Sequence, residues 1–346
     1  MNLLFIVPLN ESFHEIMDIA GKSWKFSFNA GKNIKRVNCC YPGGVLSIAA
    51  YLKKQLPDSE IKILDFNVVI NRLAQTRPQG FEGYCREDFY EDALSFLSGF
   101  PPDLIGLSLL FCDGYQDVKP LTGFLKARYP DTPIIAGGHL ASGFYEQIYS
   151  DATPLDAIAF AEGEIPVLEA CVALKEGHLA PYLSASPCWI TPDKAAALAY
   201  KPQRNLVGNL DDIPPYELDM LVFPDAYYNS SENILAVAPE QAPKEMYVFS
   251  TRGCPYHCVF CASQNVHGHK IRAHSMNRVK NDIMHYHQKY GITRFVFCDD
   301  HFLGNKAAAI ELLKIVHQRN LQVDVMGAAS FSMDADIAKT MREVGI

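Results

Sequence analysis

The sequence predicts an α/β protein in which a doubly wound parallel sheet is followed by a second series of βα units. Short continuous apolar runs alternate with helical stretches through residues 1–180, and a similar series begins near residue 246. Such runs are typical of parallel strands that are buried on both faces. We therefore expect a first domain at 1–180, a linker region at 181–245 and a second domain at 246–346.

Five βα units are predicted in the first domain, which makes it a five-stranded, Rossmann-like parallel sheet. Apolar runs predict the strands, and apolar residues at helical spacing between turn signals predict the helices. The strands are expected at 3–7, 60–66, 104–110, 134–136 and 157–160, and the helices at 43–56, 87–98, 115–129, 142–149 and 165–176.

The linker region is rich in proline and shows weak periodicity, as connecting segments do. In the second domain the same reasoning predicts strands at 246–250, 294–298 and 321–327 and helices at 276–289 and 306–318. This alternation is the rhythm of a partial (β/α) barrel.

The composition excludes several classes of protein. With 49% hydrophobic and 20% charged residues, the 346-residue chain has the mix of a soluble globular protein. A formal net charge of −8 gives no overall basic surface for nucleic acid, which is not expected as a partner. The apolar runs are too short to span a membrane, and the first residues do not resemble a signal peptide. We expect a cytoplasmic protein whose ten cysteines are thiols or metal ligands and not disulfides.

Small and polar residues follow the predicted strands of the first domain. Parallel sheets of this class bind ligands outside the carboxyl ends of their strands. Glycine there lets a flat ligand approach the backbone, but it also makes tight βα turns, and the sequence alone favours neither interpretation. The candidate residues are Asn10, Ser108, Gly137, Gly138, His139, Glu162 and Gly163.

Three cysteines follow the first strand of the second domain. Cys254, Cys258 and Cys261 have the spacing C-x-x-x-C-x-x-C. Thiolates suit iron–sulfur clusters and zinc. Three cysteines leave one iron of a 4Fe–4S cluster without a protein ligand, so such a site would be open to a substrate or cofactor. The alternative is a zinc site completed by His257 or His267, although zinc sites usually show two separated ligand pairs.

This segment resembles the radical S-adenosylmethionine (SAM) superfamily. The resemblance rests on the three cysteines with Phe260 just before the third, on the Arg-x-x-Ser stretch that ends at Ser275, and on residues 299–302, which are similar to the family's Asp-Asp-x-Phe. It implies a 4Fe–4S cluster on Cys254, Cys258 and Cys261. The open iron would bind SAM, and reduction would release a 5′-deoxyadenosyl radical. Phe260 would lie near the adenine, and Asp299 or Asp300 near SAM or substrate.

The first domain resembles the cobalamin-binding domain that precedes many radical SAM domains. The similar segments are 42–52, 103–108, 133–139 and 162–164. The Asp-x-His-x-x-Gly motif is absent, which implies a cobalamin without a histidine of the protein as lower ligand. The combined resemblance implies a methyltransferase that acts on a small molecule, natural product, lipid or peptide and receives electrons from a flavodoxin or ferredoxin.

Three other functions remain open at this stage: a cobalamin-binding cyclase or rearrangement enzyme without methyl transfer, a radical SAM enzyme with an empty first domain, and a non-catalytic metal-binding scaffold. The family barrel has more βα units than this chain contains. The resemblance therefore also implies that the chain is truncated at its carboxyl end.

Overall fold

The computed structural model describes residues 1–17, 37, 39, 41–76, 81, 83–197, 199–228 and 244–346. The chain divides into two units. The first comprises Met1–Leu206 and Glu217–Phe223, and the second comprises Val207–Tyr216 and Pro224–Ile346. The described part of the chain contains no helix that is long and apolar enough to cross a bilayer.

The first unit is built around a sheet with five parallel strands in the order 2-1-3-4-5, which is one of the two common doubly wound orders. A sixth strand pairs antiparallel with the fifth at the edge. The strands are β1 Asn2–Val7, β2 Glu60–Asp65, β3 Leu104–Ser108, β4 Ile134–Gly137, β5 Ala157–Ala159 and β6 Trp189–Ile190.

Helices connect these strands and bury the sheet. All residues of β1 from Leu3 to Val7 are buried, as expected for a strand covered on both faces. The helices of this unit are α1 Phe13–Met17, α2 Gly43–Gln55, α3 Phe66–Thr76, α4 Arg86–Ser95, α5 Val118–Arg128, α6 His139–Ser150, α7 Glu164–Lys175, α8 Leu179–Ala185 and α9 Pro192–Ala196.

Several features of this unit differ from the sequence-based expectation, including helices α1 and α8, which were not predicted. Helix α3 was not predicted, because it begins directly after β2 and no turn residue separates Asp65 from Phe66. Strand β6 makes the sheet six-stranded, where five strands were expected. The region expected to be a linker contains elements of regular structure, including β6, α9 and an isolated bridge between Ile63 and Leu221.

The second unit contains three parallel strands in the spatial order 11-10-7, as three successive βα units would produce. A short antiparallel hairpin, β8 with β9, was not predicted. The elements are α10 Asp225–Tyr228, β7 Glu245–Val248, β8 Thr251–Arg252, α11 Ser263–His267, β9 Arg272–Ala273, α12 Met276–Tyr290, β10 Arg294–Phe297, α13 Lys306–His317, β11 Gln322–Val325 and α14 Ala335–Glu343.

Local sequence explains the bounds of α12. The Ser275 side chain accepts a hydrogen bond from the Arg278 amide and caps the first turn, and Gly291 ends the helix in the left-handed conformation. Val279, Ile283 and Tyr286 recur at helical spacing and are buried. The apolar face of α12 therefore packs into the core of the unit, as the spacing predicted.

Candidate functional site

The structure brings the candidate residues of the first unit to one edge of the sheet. Ser108 ends β3 and is paired in register with Gly137 at the end of β4, while Gly163 precedes α7. Asn10 lies three residues beyond β1, and β1 and β3 are neighbours. Asn10, Ser108 and His139 are each half-buried. The predicted convergence at the carboxyl ends of the strands is therefore present in the fold.

Close packing accounts for two of the glycines. Gly138 has φ +104°, and a Cβ there would lie 2.4 Å from the Leu109 carbonyl oxygen. A Cβ on Gly163 would lie 2.5 Å from the Ile48 side chain. Gly137 differs, because its Cβ would meet only Ala159 at an ordinary 3.8 Å. The tight-turn interpretation therefore explains Gly138. Gly163 has an ordinary backbone and is crowded only by the flexible Ile48 side chain, and Gly137 is the glycine that packing does not require.

The turn between β5 and α7 carries buried acids and strained backbone. Glu162 is 4% exposed and Glu164 is 2% exposed, and the Ser47 hydroxyl donates to Glu164 Oε1 at 2.5 Å. Ala161 has φ +74°, which is unusual for a residue with a side chain. Its amide donates to the Ser142 hydroxyl at 3.0 Å, which ties the turn to α6. Such strain often accompanies functional loops.

A buried amide that the sequence analysis missed fixes the segment after β1. Asn67 Nδ2 donates to the Pro8 carbonyl oxygen at 2.9 Å and to Asp65 Oδ1 at 2.8 Å. Its Oδ1 accepts from the Asn10 amide at 2.8 Å. Asn67 is fully buried, so these bonds are made away from solvent. Nothing in the local sequence marked Asn67, because two of its partners, Pro8 and Asn10, lie in another strand–loop segment.

The three cysteines lie on a loop that the β8–β9 hairpin frames at its base. At that base, a Cβ on Gly253 (φ +96°) would lie 2.5 Å from the Lys270 carbonyl oxygen, and the Cys254 amide donates to the Gly268 carbonyl oxygen at 3.3 Å. Cys254 and Cys261 are half-buried and Cys258 is exposed. The Cys261 amide donates to the Cys258 carbonyl oxygen at 3.1 Å, so a turn joins the last two cysteines.

The donor chemistry of this loop fits an iron–sulfur cluster. Three thiols occur within eight residues, and Phe260 and Val259 beside them are 88% and 101% exposed. No three His, Cys, Asp or Glu side chains in the described part of the chain are close enough together to hold a metal ion. Metal binding would therefore have to draw the three sulfur atoms together and release their protons.

The histidines of the zinc alternative occupy different places on this loop. The ring of His257 stacks on that of His269, with centroids 4.1 Å apart and an angle of 18° between the planes. His267 ends α11 and is half-buried.

A different aromatic group involves Tyr256, which packs edge-on against His301 at 5.2 Å and against Phe331 at 5.0 Å. The cysteine loop thus contacts the loops that follow β10 and β11.

Asp299 and Asp300 follow β10 and both face the start of the cysteine loop. Asp299 Oδ1 accepts from the amides and hydroxyls of Ser250 and Thr251, and Asp300 Oδ2 accepts from the Gly253 amide at 3.1 Å. Burial raises the pKa of Asp299 to about 6, and the hydrogen bonds from Thr251 and Ser250 oppose that rise. Both acids therefore lie beside the cysteine loop, and their described hydrogen bonds are made with the protein itself.

Part of the chain matches a known family model. Residues 33–170 match the B12 binding domain family. Over 327 residues the chain is 26% identical to cytidylyl-2-hydroxyethylphosphonate methyltransferase of Streptomyces wedmorensis, which covers 89% of this chain and 60% of that protein. Over 239 residues it is 21% identical to the anaerobic magnesium-protoporphyrin IX monomethyl ester cyclase of a Synechocystis species, covering 65% of this chain and 42% of that protein.

Solved structures show the same fold. A structure of the radical S-adenosylmethionine methyltransferase TsrM of Kitasatospora setae, with cobalamin and a [4Fe-4S] cluster bound, aligns with a TM-score of 0.58 at 14% identity. It covers 99% of this chain and 57% of that one. Another TsrM structure, with tryptophan and a SAM analogue bound, aligns with a TM-score of 0.60.

These comparisons confirm the resemblance found in the sequence. Residues 33–170 match the B12 binding domain family, the chain is related to proteins named as methyltransferases and as a cyclase, and its fold is similar to that of the TsrM structures. The chain spans less than two thirds of the length of each of these proteins.

Proposed function

We propose that this protein is a cobalamin-dependent radical SAM methyltransferase that acts on an unactivated carbon of a small-molecule, natural-product, lipid or peptide substrate. The observation that carries the proposal is the pairing of a matched B12-binding domain with a C-x-x-x-C-x-x-C loop after the first strand of the second unit. Such chemistry needs two cofactors, a methyl carrier and an open iron–sulfur cluster. The first unit would bind the methyl carrier, and the cysteine loop would bind the cluster.

Each unit has residues suited to its cofactor. Cys254, Cys258 and Cys261 would hold a 4Fe–4S cluster, and the exposed Phe260 would pack against the adenine of SAM. When bound, the reduced cluster supplies the electron that cleaves SAM, and methylcobalamin supplies the methyl group. With three cysteine ligands, one iron of the cluster would have no protein ligand and could bind SAM.

The carboxyl edge of the first sheet is the proposed cobalamin site. Asn10, Ser108 and His139 offer half-buried polar groups there, and Gly137 leaves backbone that a flat ring system can approach. Phe111, three residues beyond β3, is 42% exposed and offers an apolar surface to the same ligand. The packing roles of Gly138 and Gly163 preserve the shape of this edge and do not require them to touch the corrin.

The proposal is tested with protein purified without oxygen, supplied with cobalamin, iron and sulfide, and reduced in the presence of SAM. We expect 5′-deoxyadenosine and S-adenosylhomocysteine by mass spectrometry. Cys258→Ala should lose iron and both products, whereas Cys112→Ala, which removes another exposed thiol, should keep them. Iron binding or SAM cleavage that persists in Cys258→Ala would contradict the assignment.

A second candidate is a cyclase or rearrangement enzyme that uses the same cofactors, and the similarity to the Synechocystis cyclase favours it as an alternative. The two differ in the product. Methylation adds the mass of one methylene group and consumes a second SAM, whereas cyclisation adds no carbon. Once a substrate is found, the product mass and the ratio of S-adenosylhomocysteine to 5′-deoxyadenosine distinguish them.

A further inference from the structure

Two adjacent carboxylates collect the donors of the segment that leads into the first cysteine. Ser250 donates its amide to Asp299 Oδ1 at 3.0 Å and its hydroxyl to the same oxygen at 2.9 Å. Thr251 donates its hydroxyl at 2.6 Å and also its amide. The Gly253 amide donates to Asp300 Oδ2 at 3.1 Å. Three backbone amides in the four residues before Cys254 therefore end on these carboxylates.

The register of the sheet places these groups together. Phe297 of β10 pairs with Val248 of β7, so Asp299 lies opposite Ser250, two residues further along each strand. A buried carboxylate is costly unless charged or polar donors compensate it. Asp299 is 2% exposed, its Oδ1 accepts four donors, and its Oδ2 has no hydrogen-bond partner among the described residues. Among the described residues, the donors that compensate the Asp299 carboxylate all belong to the segment before the cysteines.

Hydrogen bonds hold the base of the loop as far as Cys254, and ring contacts of Tyr256 and His257 follow toward the tip. Gly253 lies against the Lys270 carbonyl oxygen, and the Cys254 amide donates to the Gly268 carbonyl oxygen. Beyond that point Cys258 is exposed. The base of the loop is held by several hydrogen bonds, while its tip remains accessible.

We propose that Asp299 and Asp300 are positioning residues that fix where Cys254 leaves the sheet, and thereby prearrange the loop for cluster binding. The inference rests on the proposed function, because that function requires the loop to bind a cluster. It assigns Asp299 a role different from direct contact with SAM, since the four donors on its Oδ1 come from the protein. Asp300 holds the loop through one oxygen.

The first test uses the iron-free chain and hydrogen–deuterium exchange resolved to the amides of residues 250–253. Asp299→Ala should speed exchange at Ser250 and Thr251 on the order of tenfold, the factor expected for the loss of a charge-assisted hydrogen bond. Asp300→Ala should do the same at Gly253 alone. Asp324→Asn is the control, because it removes the same charge from a carboxylate that pairs with Arg294.

Asp299→Asn separates positioning from folding. Its amide oxygen can still accept from Ser250 and Thr251, so exchange there should stay within a few-fold of wild type, and protection in α12 and α13 should be unchanged. Loss of protection throughout the second unit would mean that Asp299→Ala does not fold. In that case the exchange at Gly253 in Asp300→Ala tests the proposal instead. Wild-type exchange at Gly253 in Asp300→Ala, or at Ser250 and Thr251 in a folded Asp299→Ala, would overturn the proposal.

The second test measures iron bound per chain after reconstitution. Asp299→Ala should bind several-fold less iron than wild type, and Asp299→Asn should recover most of it, whereas Asp324→Asn should bind as wild type. Equal iron binding by Asp299→Ala and wild type would refute the prearrangement. If the wild-type chain binds no iron, the proposed function fails, while the exchange result still reports on how the loop is held.

Discussion

Gly138→Ala is the substitution for which the structure gives the sharpest expectation. Gly138 has φ +104° and ψ 178°, a conformation that is essentially restricted to glycine. Its Cβ would lie 2.4 Å from the Leu109 carbonyl oxygen, which accepts a hydrogen bond from the Leu140 amide. Backbone strain of about 1–3 kcal/mol and overpacking of about 1–3 kcal/mol sum to a loss of about 4 kcal/mol in the free energy of unfolding.

Urea unfolding followed by tryptophan fluorescence measures this loss in the first unit. Trp189 belongs to that unit and is fully buried, so its fluorescence reports on unfolding of the unit. Gly137→Ala is the matched control and should cost less than about 1 kcal/mol, because its Cβ meets only ordinary contacts. Equal effects of the two substitutions, or a loss below about 1 kcal/mol in Gly138→Ala, would refute the reasoning.

Two further predictions concern strain and protonation. Ala161→Gly should stabilise the first unit by about 1 kcal/mol, because φ +74° costs nothing in glycine; unchanged or lower stability in the same urea assay would contradict this. Burial, together with the neighbouring Arg278 and Arg252, lowers the pKa of His274 to about 4, although it donates to Asp211. The unfolded chain therefore binds the proton first as the pH falls, and the second unit should lose up to about 3 kcal/mol between pH 6.5 and about 4. Calorimetry should show a smaller loss in His274→Gln, and equal losses in both proteins would contradict the assignment.

The sequence was most informative about the strands of the first sheet. β1 and β3 are short, continuous apolar runs, and such runs have few alternatives in a chain that alternates them with helices. Helix α3 was not predicted because no turn residue separates its start from β2. Strand β6 was not predicted because two residues are too few to show a periodic pattern. Both elements form because they pack against distant parts of the unit, and a short stretch of sequence does not contain that information.

For the candidate sites too, the sequence predicted some features and could not predict others. Strand ends could be predicted to meet at one edge, because parallel topology alone requires it. The sequence could not decide whether Gly138 serves a ligand or a turn, since the answer depends on how closely the Leu109 carbonyl oxygen approaches it. The contact of Asp299 with Ser250 and Thr251 depends on the register between β7 and β10. The sequence of neither strand alone determines that register.

The central claim is that one chain holds both an iron–sulfur cluster and cobalamin. The most direct measurement is the absorption spectrum, with iron and corrin content, of the protein purified without oxygen from cells supplied with cobalamin. We expect the broad absorption of thiolate-ligated iron together with separate corrin bands, and Cys258→Ala should lose the iron and keep the corrin. A spectrum with iron but no corrin would contradict the cobalamin site, and a spectrum with neither would contradict the account as a whole.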